Sequence, residues 1–161
     1  MPHSGHGKRE KHNDNSNLQV VVSGLKKDIN LLSDDLNNKK IKNLKLNVSA
    51  PFHCKYMKTA SEKMTSYIND LNMNELEKPI ISNVTAKETR SSKEIKSLLI
   101  SQIEKKVRWL ESVEYMINNG VNNFVEIGPG KVLSGLIKRI NKNVKINAIN
   151  NEEDIKLLIN D

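Results

Sequence analysis

The sequence predicts an α/β protein with a largely parallel sheet. Short apolar runs that are typical of buried strands alternate with longer segments whose apolar residues recur at the helical spacing of three or four positions. Gly, Pro, Asn and Ser residues separate several of these segments, as expected at turns. Strands that alternate with helices are typical of parallel sheets, because a helix is the usual connection between two parallel strands.

The N-terminal segment, residues 1–17, carries no aliphatic side chain after Met1 and Pro2. A segment of this composition buries too little apolar surface to offset the entropy of ordering, so we expect a disordered N-terminal extension. His3, His6 and His12 lie in it, but no Cys or carboxylate joins them at ligand spacing, and we therefore predict no metal site.

Residues 18–50 have the pattern of a strand, a helix and a second strand. The run LQVVVSG predicts a short buried strand that Gly24 ends, and the next residues place Leu25, Ile29, Leu32 and Leu36 on one helical face. The segment IKNLKLNVSA alternates apolar and other residues, which predicts a strand that reaches Ala50.

Residues 51–161 continue the alternation. An amphipathic pattern from Met57 to Leu71 predicts a helix, and the strand-like PIISNVTA follows it. Ser91 or Ser92 is placed to cap the next helix. The remaining elements are a helix over 110–119 that stops at Gly120, the strand NNFVEIG, the turn Gly128-Pro129-Gly130, the helix KVLSGLIKRI, the strand VKINAIN and a last short helix.

Composition excludes several classes of protein. The net charge is +7, but the four Arg are few and aromatic residues make up 4%, whereas nucleic-acid binding relies on Arg forks and aromatic stacking. The single Cys cannot form an internal disulfide, which fits a reducing compartment. We find neither an apolar run long enough to span a membrane nor the apolar core of a signal peptide. We therefore predict a cytoplasmic protein that binds no nucleic acid and no membrane.

Four positions have side chains or backbone groups suited to chemistry. His53 follows the strand predicted to end at Ala50, at the sheet edge where α/β proteins bind ligands, so it is either a general base or a structural residue. Gln102 lies in the inward stripe of its helix and is hydrogen-bonded either to a specific partner or to water. The Gly128-Pro129-Gly130 turn is better explained as structural than as a phosphate site, because it lacks the known phosphate-binding patterns. Cys54 fits a small buried thiol better than a nucleophile paired with His53.

Three segments together resemble one family. VSAPFHCKYM, PIISNVTA and QIEKKVRWLESVEYMINNGVNNFVEIGPGKVLSGLIKRI look like the C-terminal half of malonyl-CoA:acyl-carrier-protein transacylases. NLQVVVSG and LKLNVSA are similar to the stretch that leads to the catalytic His of that family. The resemblance runs from about Asn17 to Ala148 in consistent order and spacing.

The resemblance implies roles for four residues. In the family, a Ser on a G-H-S-x-G elbow attacks the malonyl thioester, a His activates it, an Arg pairs with the malonate carboxylate, and the malonyl group passes to the phosphopantetheine thiol of the carrier protein. His53 matches the catalytic base, and Gln102 matches the residue whose main-chain carbonyl orients that imidazole, like the third member of a triad. Phe52 matches a position beside the acyl pocket, and Asn83 is expected to line the same crevice. The two are the predicted substrate-binding residues, and no metal or cofactor is implied.

The sequence also departs from the family pattern. It contains no G-H-S-x-G, and His3-Ser4-Gly5-His6-Gly7 resembles that motif only superficially because no strand precedes it. None of the four Arg stands at the malonate-binding position. Because loss of a nucleophile or base costs about 10⁶ in rate, we expect the chain to be a truncated form that is inactive alone.

The predicted fold is accordingly a partial hydrolase-like parallel sheet with part of a ferredoxin-like subdomain. Residues 18–50 are assigned to the second half of that subdomain, and residues 51–161 to the C-terminal part of the acyltransferase α/β domain. The predicted function is malonyl transfer from malonyl-CoA to phosphopantetheinylated acyl carrier protein in fatty acid biosynthesis. The alternative is a non-catalytic α/β interaction module that binds a carrier protein or a complementary N-terminal half.

One geometric prediction follows from the resemblance. An imidazole nitrogen of His53 should lie within hydrogen-bond reach, about 2.6 to 3.2 Å, of an oxygen of Gln102. The two residues are 49 positions apart, so no local pattern requires the contact.

Overall fold

The computed structural model describes residues 10–16 and 19–160. Its strands are β1 (Glu10–Ser16), β2 (Gln19–Ser23), β3 (Ile80–Ile81), β4 (Glu88–Thr89), β5 (Asn123–Ile127) and β6 (Lys145–Ile149). Its helices are α1 (Lys26–Asn38), α2 (Lys58–Asp70), α3 (Ser92–Glu104), α4 (Trp109–Asn118), α5 (Val132–Ile140) and α6 (Glu152–Asn160). A short 3₁₀ turn, Lys55–Met57, leads into α2.

The strands pair two by two. β5 and β6 are parallel, with Phe124 opposite Ile146, and helix α5 connects them. β1 pairs with β2 and β3 with β4, both antiparallel. The predicted α/β class is therefore confirmed, and within the described residues the parallel pairing is confined to β5 and β6.

The core lies between the parallel pair and helices α4 and α5. Val113, Phe124, Ile137 and Val144 are buried together, and Trp109, Met116, Ile117, Ile140 and Ile146 pack against them. Val113 is 0% exposed. Because the inward face of α4 is packed in this core, the position of the helix start is fixed. The segment at this start also contacts the candidate site.

Two helix ends show why the sequence places them there. The Ser91 side chain accepts a hydrogen bond from the Glu94 N–H at the start of α3, so Ser91 rather than Ser92 is the cap. At the end of α4, Gly120 has φ +90°, its N–H donates to the Ile117 carbonyl, and the Val121 N–H donates to the Met116 carbonyl. This pair of bonds needs a residue in the left-handed region, which Gly adopts without penalty.

The N-terminal expectation is wrong for residues 10–16. They form β1 and pair with β2 instead of remaining disordered, and β1 also lies against α4 and α5. A ladder uses main-chain groups, which every residue except Pro carries in full, so a polar segment can pair with the apolar run of β2. The remainder of the predicted extension, residues 1–9 and 17, is outside the described residues, and the subdomain division at residues 50 and 51 stays a prediction.

The prediction of a strand that reaches Ala50 is also wrong. Residues 41–48 have no regular secondary structure, and Leu44, Leu46 and Val48 are 83%, 55% and 60% exposed. The Val48 N–H donates to the Leu46 carbonyl two residues back, a local turn rather than a ladder bond. A strand forms only with a hydrogen-bonded partner, and β2 pairs with β1 rather than with residues 41–48.

Among the described residues, no helix combines the length and apolar character that crossing a bilayer requires.

Candidate active site

His53 lies in a tight turn between Pro51 and the 3₁₀ turn that starts α2. Its φ is +60°, in the left-handed region that residues other than Gly rarely occupy and that costs about 1 to 2 kcal/mol. The flanking residues hold this conformation. The Ser23 hydroxyl at the end of β2 donates to the Phe52 carbonyl at 3.2 Å, and the Cys54 thiol donates to the Pro51 carbonyl at 3.0 Å. The backbone strain thus lies at the residue that the family resemblance implies as the base.

The imidazole of His53 contacts the end of helix α3. Its Nδ1 lies 2.8 Å from the main-chain oxygen of Gln102, which confirms the predicted contact. Helix α3 ends at Glu104, so the residue four positions after Gln102 lies outside the helix. The Gln102 carbonyl is therefore one of the acceptors that a helix end leaves for other partners. A carbonyl oxygen only accepts, so Nδ1 donates, and in the neutral ring the lone pair is then on Nε2.

The Gln102 side chain is held as well as its carbonyl. The Asn83 Nδ2 donates to Gln102 Oε1 at 3.3 Å, and both residues are partly buried. Of the two alternatives for Gln102, the specific partner is therefore the one present. Asn83 follows β3 and Ser82, and its main-chain oxygen accepts a hydrogen bond from the Arg108 N–H at 2.9 Å.

Arg108, just before α4, was not predicted as a site residue. Its guanidinium binds both carboxylate oxygens of Glu111, with Nε at 2.9 Å from Oε1, and its Nη1 donates to the Thr85 carbonyl at 3.2 Å. Hydrogen bonds that Arg108 donates to the Glu111 carboxylate raise the pKa of Arg108 above its already high ordinary value, so the guanidinium stays charged. The spacing Arg-x-x-Glu at a helix start is the sequence signal that could have indicated the pair.

Phe52 and Cys54 flank His53 on either side. Phe52 is 49% exposed, and its predicted place beside an acyl pocket stays a prediction. Cys54 is 1% exposed, which agrees with a small buried thiol. A nucleophile must reach its substrate, so this burial argues against Cys54 in that role.

The Gly128-Pro129-Gly130 turn has its backbone donors occupied. The Gly128 N–H donates to the Ile149 carbonyl at 3.0 Å, and the Gly130 N–H donates to Asn150 Oδ1 at 2.6 Å. The first turn of α5 is occupied too, because the Glu126 carboxylate accepts the N–H of Leu133 at 3.0 Å and of Ser134 at 2.7 Å. The turn is structural, as predicted, since an anion would have to displace these partners.

Comparison with known proteins identifies relatives of one kind. The chain is 42% identical over 141 residues to the malonyl CoA-acyl carrier protein transacylase of Staphylococcus aureus (strain MSSA476), which covers 86% of this chain and 45% of that protein. It is 40% identical over 142 residues to the protein of the same name from Bacillus subtilis (strain 168), covering 88% and 45%. The chain therefore spans about half the length of the curated relatives it matches. No family model matches it.

Solved structures give the same result. The acyl-carrier-protein-S-malonyltransferase of Bartonella henselae superimposes with a TM-score of 0.91 at 35% identity, over 98% of this chain and 50% of that one. The transacylase of Clostridium perfringens gives 0.89 at 36% identity over the same shares. A malonyl-transacylase solved in complex with an acyl-carrier protein gives 0.88 at 35% identity, over 96% of this chain and 50% of that one. The chain is thus a homologue of the malonyl-CoA:acyl-carrier-protein transacylases over about half of their length.

Proposed function

We propose that the chain takes part in malonyl transfer from malonyl-CoA to an acyl carrier protein, with His53 as the general base. The observation that carries the proposal is the 2.8 Å bond between His53 Nδ1 and the Gln102 main-chain oxygen. This bond selects the tautomer whose Nε2 accepts a proton, as the third member of a triad does for its histidine. The names of the relatives support malonyl-CoA and the carrier protein as substrates.

In the proposed reaction, His53 Nε2 takes the proton of a serine hydroxyl while that oxygen attacks the thioester carbonyl of malonyl-CoA. The proton then passes to the departing CoA sulfur, and a malonyl ester remains on the serine. The phosphopantetheine thiol of the carrier protein gives its proton to Nε2, attacks the ester, and releases the serine hydroxyl when Nε2 returns the proton. The printed sequence has no G-H-S-x-G to provide this serine, so the proposal places the nucleophile in a second polypeptide or in further sequence.

The two predicted substrate-binding residues enter the proposal in different ways. Phe52 is half exposed next to the base, where an aromatic side chain could limit the bulk of the acyl group. Asn83 is proposed to act mainly through Gln102, because its amide is bonded to that side chain. A cytoplasmic location is part of the proposal and is supported by the single, buried thiol.

Complementation between two polypeptides tests this function. The chain is mixed with the separately produced half of the Staphylococcus aureus transacylase that it does not match, and transfer of labelled malonyl from malonyl-CoA to carrier protein is measured. We expect transfer by the mixture, none by either part alone, and a loss of at least 10³-fold with His53→Ala, since removal of a base costs up to about 10⁶. The control is His12→Ala, which removes a histidine from β1.

Two results would count against the proposed role. Transfer that His53→Ala leaves undiminished would show that another group is the base. Association of the two parts without any transfer would favour the alternative, a non-catalytic interaction module. Binding of the two parts is measured separately by analytical ultracentrifugation, so that failure to associate is recognised.

A further inference from the structure

The pair Arg108 and Glu111 holds a loop of the protein as well as a helix start. The guanidinium binds the Glu111 carboxylate through two nitrogens, a geometry that is directional as well as charged. Its third nitrogen, Nη1, reaches the Thr85 carbonyl, and the Arg108 main-chain N–H reaches the Asn83 carbonyl. One residue therefore ties α4 to two carbonyls of the segment between β3 and β4.

That segment, residues 82–87, is tightly wound and partly buried. Ala86 has φ +55°, in the left-handed region, and its N–H donates to the Ser82 carbonyl at 2.8 Å. The Ser82 N–H donates to the Lys87 carbonyl at 3.0 Å, and Ser82 and Ala86 are 7% and 6% exposed. A loop with a strained residue keeps its shape only when surrounding contacts fix it, and the Arg108 contacts are of that kind.

The loop in turn presents the Asn83 amide to Gln102. Asn83 Nδ2 donates to Gln102 Oε1, and the Gln102 main-chain oxygen accepts from His53 Nδ1. Hydrogen bonds thus link Arg108 to Asn83, Asn83 to Gln102, and Gln102 to His53. These four residues come from four separate segments of the chain. A series of this kind can transmit a change at one end to the orientation of the group at the other.

We propose that Arg108 is a positioning residue for the His53 imidazole, acting through Asn83 and Gln102. It keeps the loop of residues 82–87 against α4, so that Asn83 holds the Gln102 side chain and Gln102 presents its carbonyl to Nδ1. The role requires a planar fork that serves Glu111 and Thr85 together, which the single ammonium group of Lys does not provide. Only the consequence for malonyl transfer rests on the proposed function, because the orientation of the ring is a property of the chain itself.

The test measures the tautomer of His53 in the complete chain. Ring ¹⁵N shifts of histidine-labelled protein give the ratio of the Nδ1–H to the Nε2–H form at a pH of about 8.5, where imidazole is neutral. His53→Gln identifies the His53 signals among those of the four histidines. The variant is Arg108→Lys, and the matched control is Arg139→Lys in the last turn of α5, which makes the same change outside this series.

We expect the unmodified chain and Arg139→Lys to show mainly the Nδ1–H form. Arg108→Lys should lower the Nδ1–H to Nε2–H ratio roughly two- to tenfold, the range that one net hydrogen bond produces. Folding of Arg108→Lys is checked by circular dichroism, and Glu111 still has Lys106 at 4.0 Å as a cation in that variant. A folded Arg108→Lys chain with an unchanged ratio would overturn the proposal.

A second variant keeps the test decisive if Arg108→Lys does not fold. Asn83→Ala retains the pair of Arg108 and Glu111 but removes the bond to Gln102, and it should lower the same ratio. An unchanged ratio in folded Asn83→Ala would also overturn the proposal. In the two-part transfer assay, Arg108→Lys should lower kcat with little change in KM for malonyl-CoA. If the mixture with the unmodified chain shows no transfer while the variants change the tautomer ratio, the proposed function is refuted and the positioning role remains.

Discussion

Val113 is the position where one substitution should best reveal how much the core contributes to stability. It lies on α4, is 0% exposed, and packs with Phe124, Ile137 and Val144. Val113→Ala removes two carbon atoms from the centre of this cluster. Val132→Ala removes the same atoms from the start of α5, where the side chain is 72% exposed.

The expected difference follows from burial. Two buried methylene equivalents at about 0.8 kcal/mol each give about 1.6 kcal/mol of lost transfer free energy. The cavity adds about 1 kcal/mol if the surrounding side chains do not collapse into it. Better helix propensity of Ala returns about 0.5 kcal/mol, so Val113→Ala should destabilise the chain by about 2 kcal/mol. At the mostly exposed Val132, the loss should be no more than about 0.5 kcal/mol.

Urea denaturation followed by circular dichroism measures the two changes. With a slope of about 2 kcal/mol per molar urea, Val113→Ala should lower the midpoint by about 1 M, and Val132→Ala should leave it nearly unchanged. Equal shifts for the two variants would refute the placement of Val113 in the core. Such a result would also argue against the placement of α4, and therefore against the placement of Arg108 next to the start of this helix.

Three further predictions concern the surface and the loop that contains His53. Hydrogen bonds from Ser134 and from the Leu133 backbone lower the pKa of Glu126, so the stability from this carboxylate is present above a pH of about 4.3 and is lost as the pH falls through the lowered value. Glu126→Gln should therefore reduce the loss of melting temperature between pH 6 and pH 3, and an identical loss in both proteins would contradict this. Cys54 is 1% exposed, so a thiol reagent should label it roughly 10² times more slowly in the native chain than in urea, whereas equal rates would mean that the loop at His53 opens freely. Leu44 and Ile127 are 83% and 80% exposed, so the chain should bind a hydrophobic dye, and the double variant with Gln at both positions should bind less; equal binding would assign the dye to another surface.

Local patterns predicted the helices well because their signals lie within a few residues. Each signal is local: α2 has an apolar face, α3 has a Ser cap at its start, and α4 has a Gly at its end. Strands depend on partners elsewhere in the chain, and this is where the pattern failed. The alternation at residues 44–48 is suited to a ladder that the described residues do not form, and the polar β1 has no side-chain signal that would indicate its pairing.

The candidate site, like the fold, could be predicted only in part. The contact between His53 and Gln102 followed from the family resemblance, since no periodicity joins residues so far apart. The contribution of Arg108 could not be derived from its spacing to Glu111 alone, because that spacing describes many surface ion pairs of little consequence. Only the three-dimensional structure shows that the remaining guanidinium nitrogen reaches the Thr85 carbonyl and that the backbone reaches Asn83.

Contacts within this chain orient the His53 imidazole. The Ser23 hydroxyl on one side and the Gln102 carbonyl on the other both hold the His53 turn, and both belong to this chain. The left-handed backbone of His53 is unfavourable by itself, so these contacts must offset the strain before any nucleophile is nearby. A histidine that is already oriented reduces the entropy that reaction must overcome. Under the proposed function, a complementary polypeptide would therefore have to add the nucleophile and the recognition of malonate, while this chain sets the tautomer and direction of the imidazole.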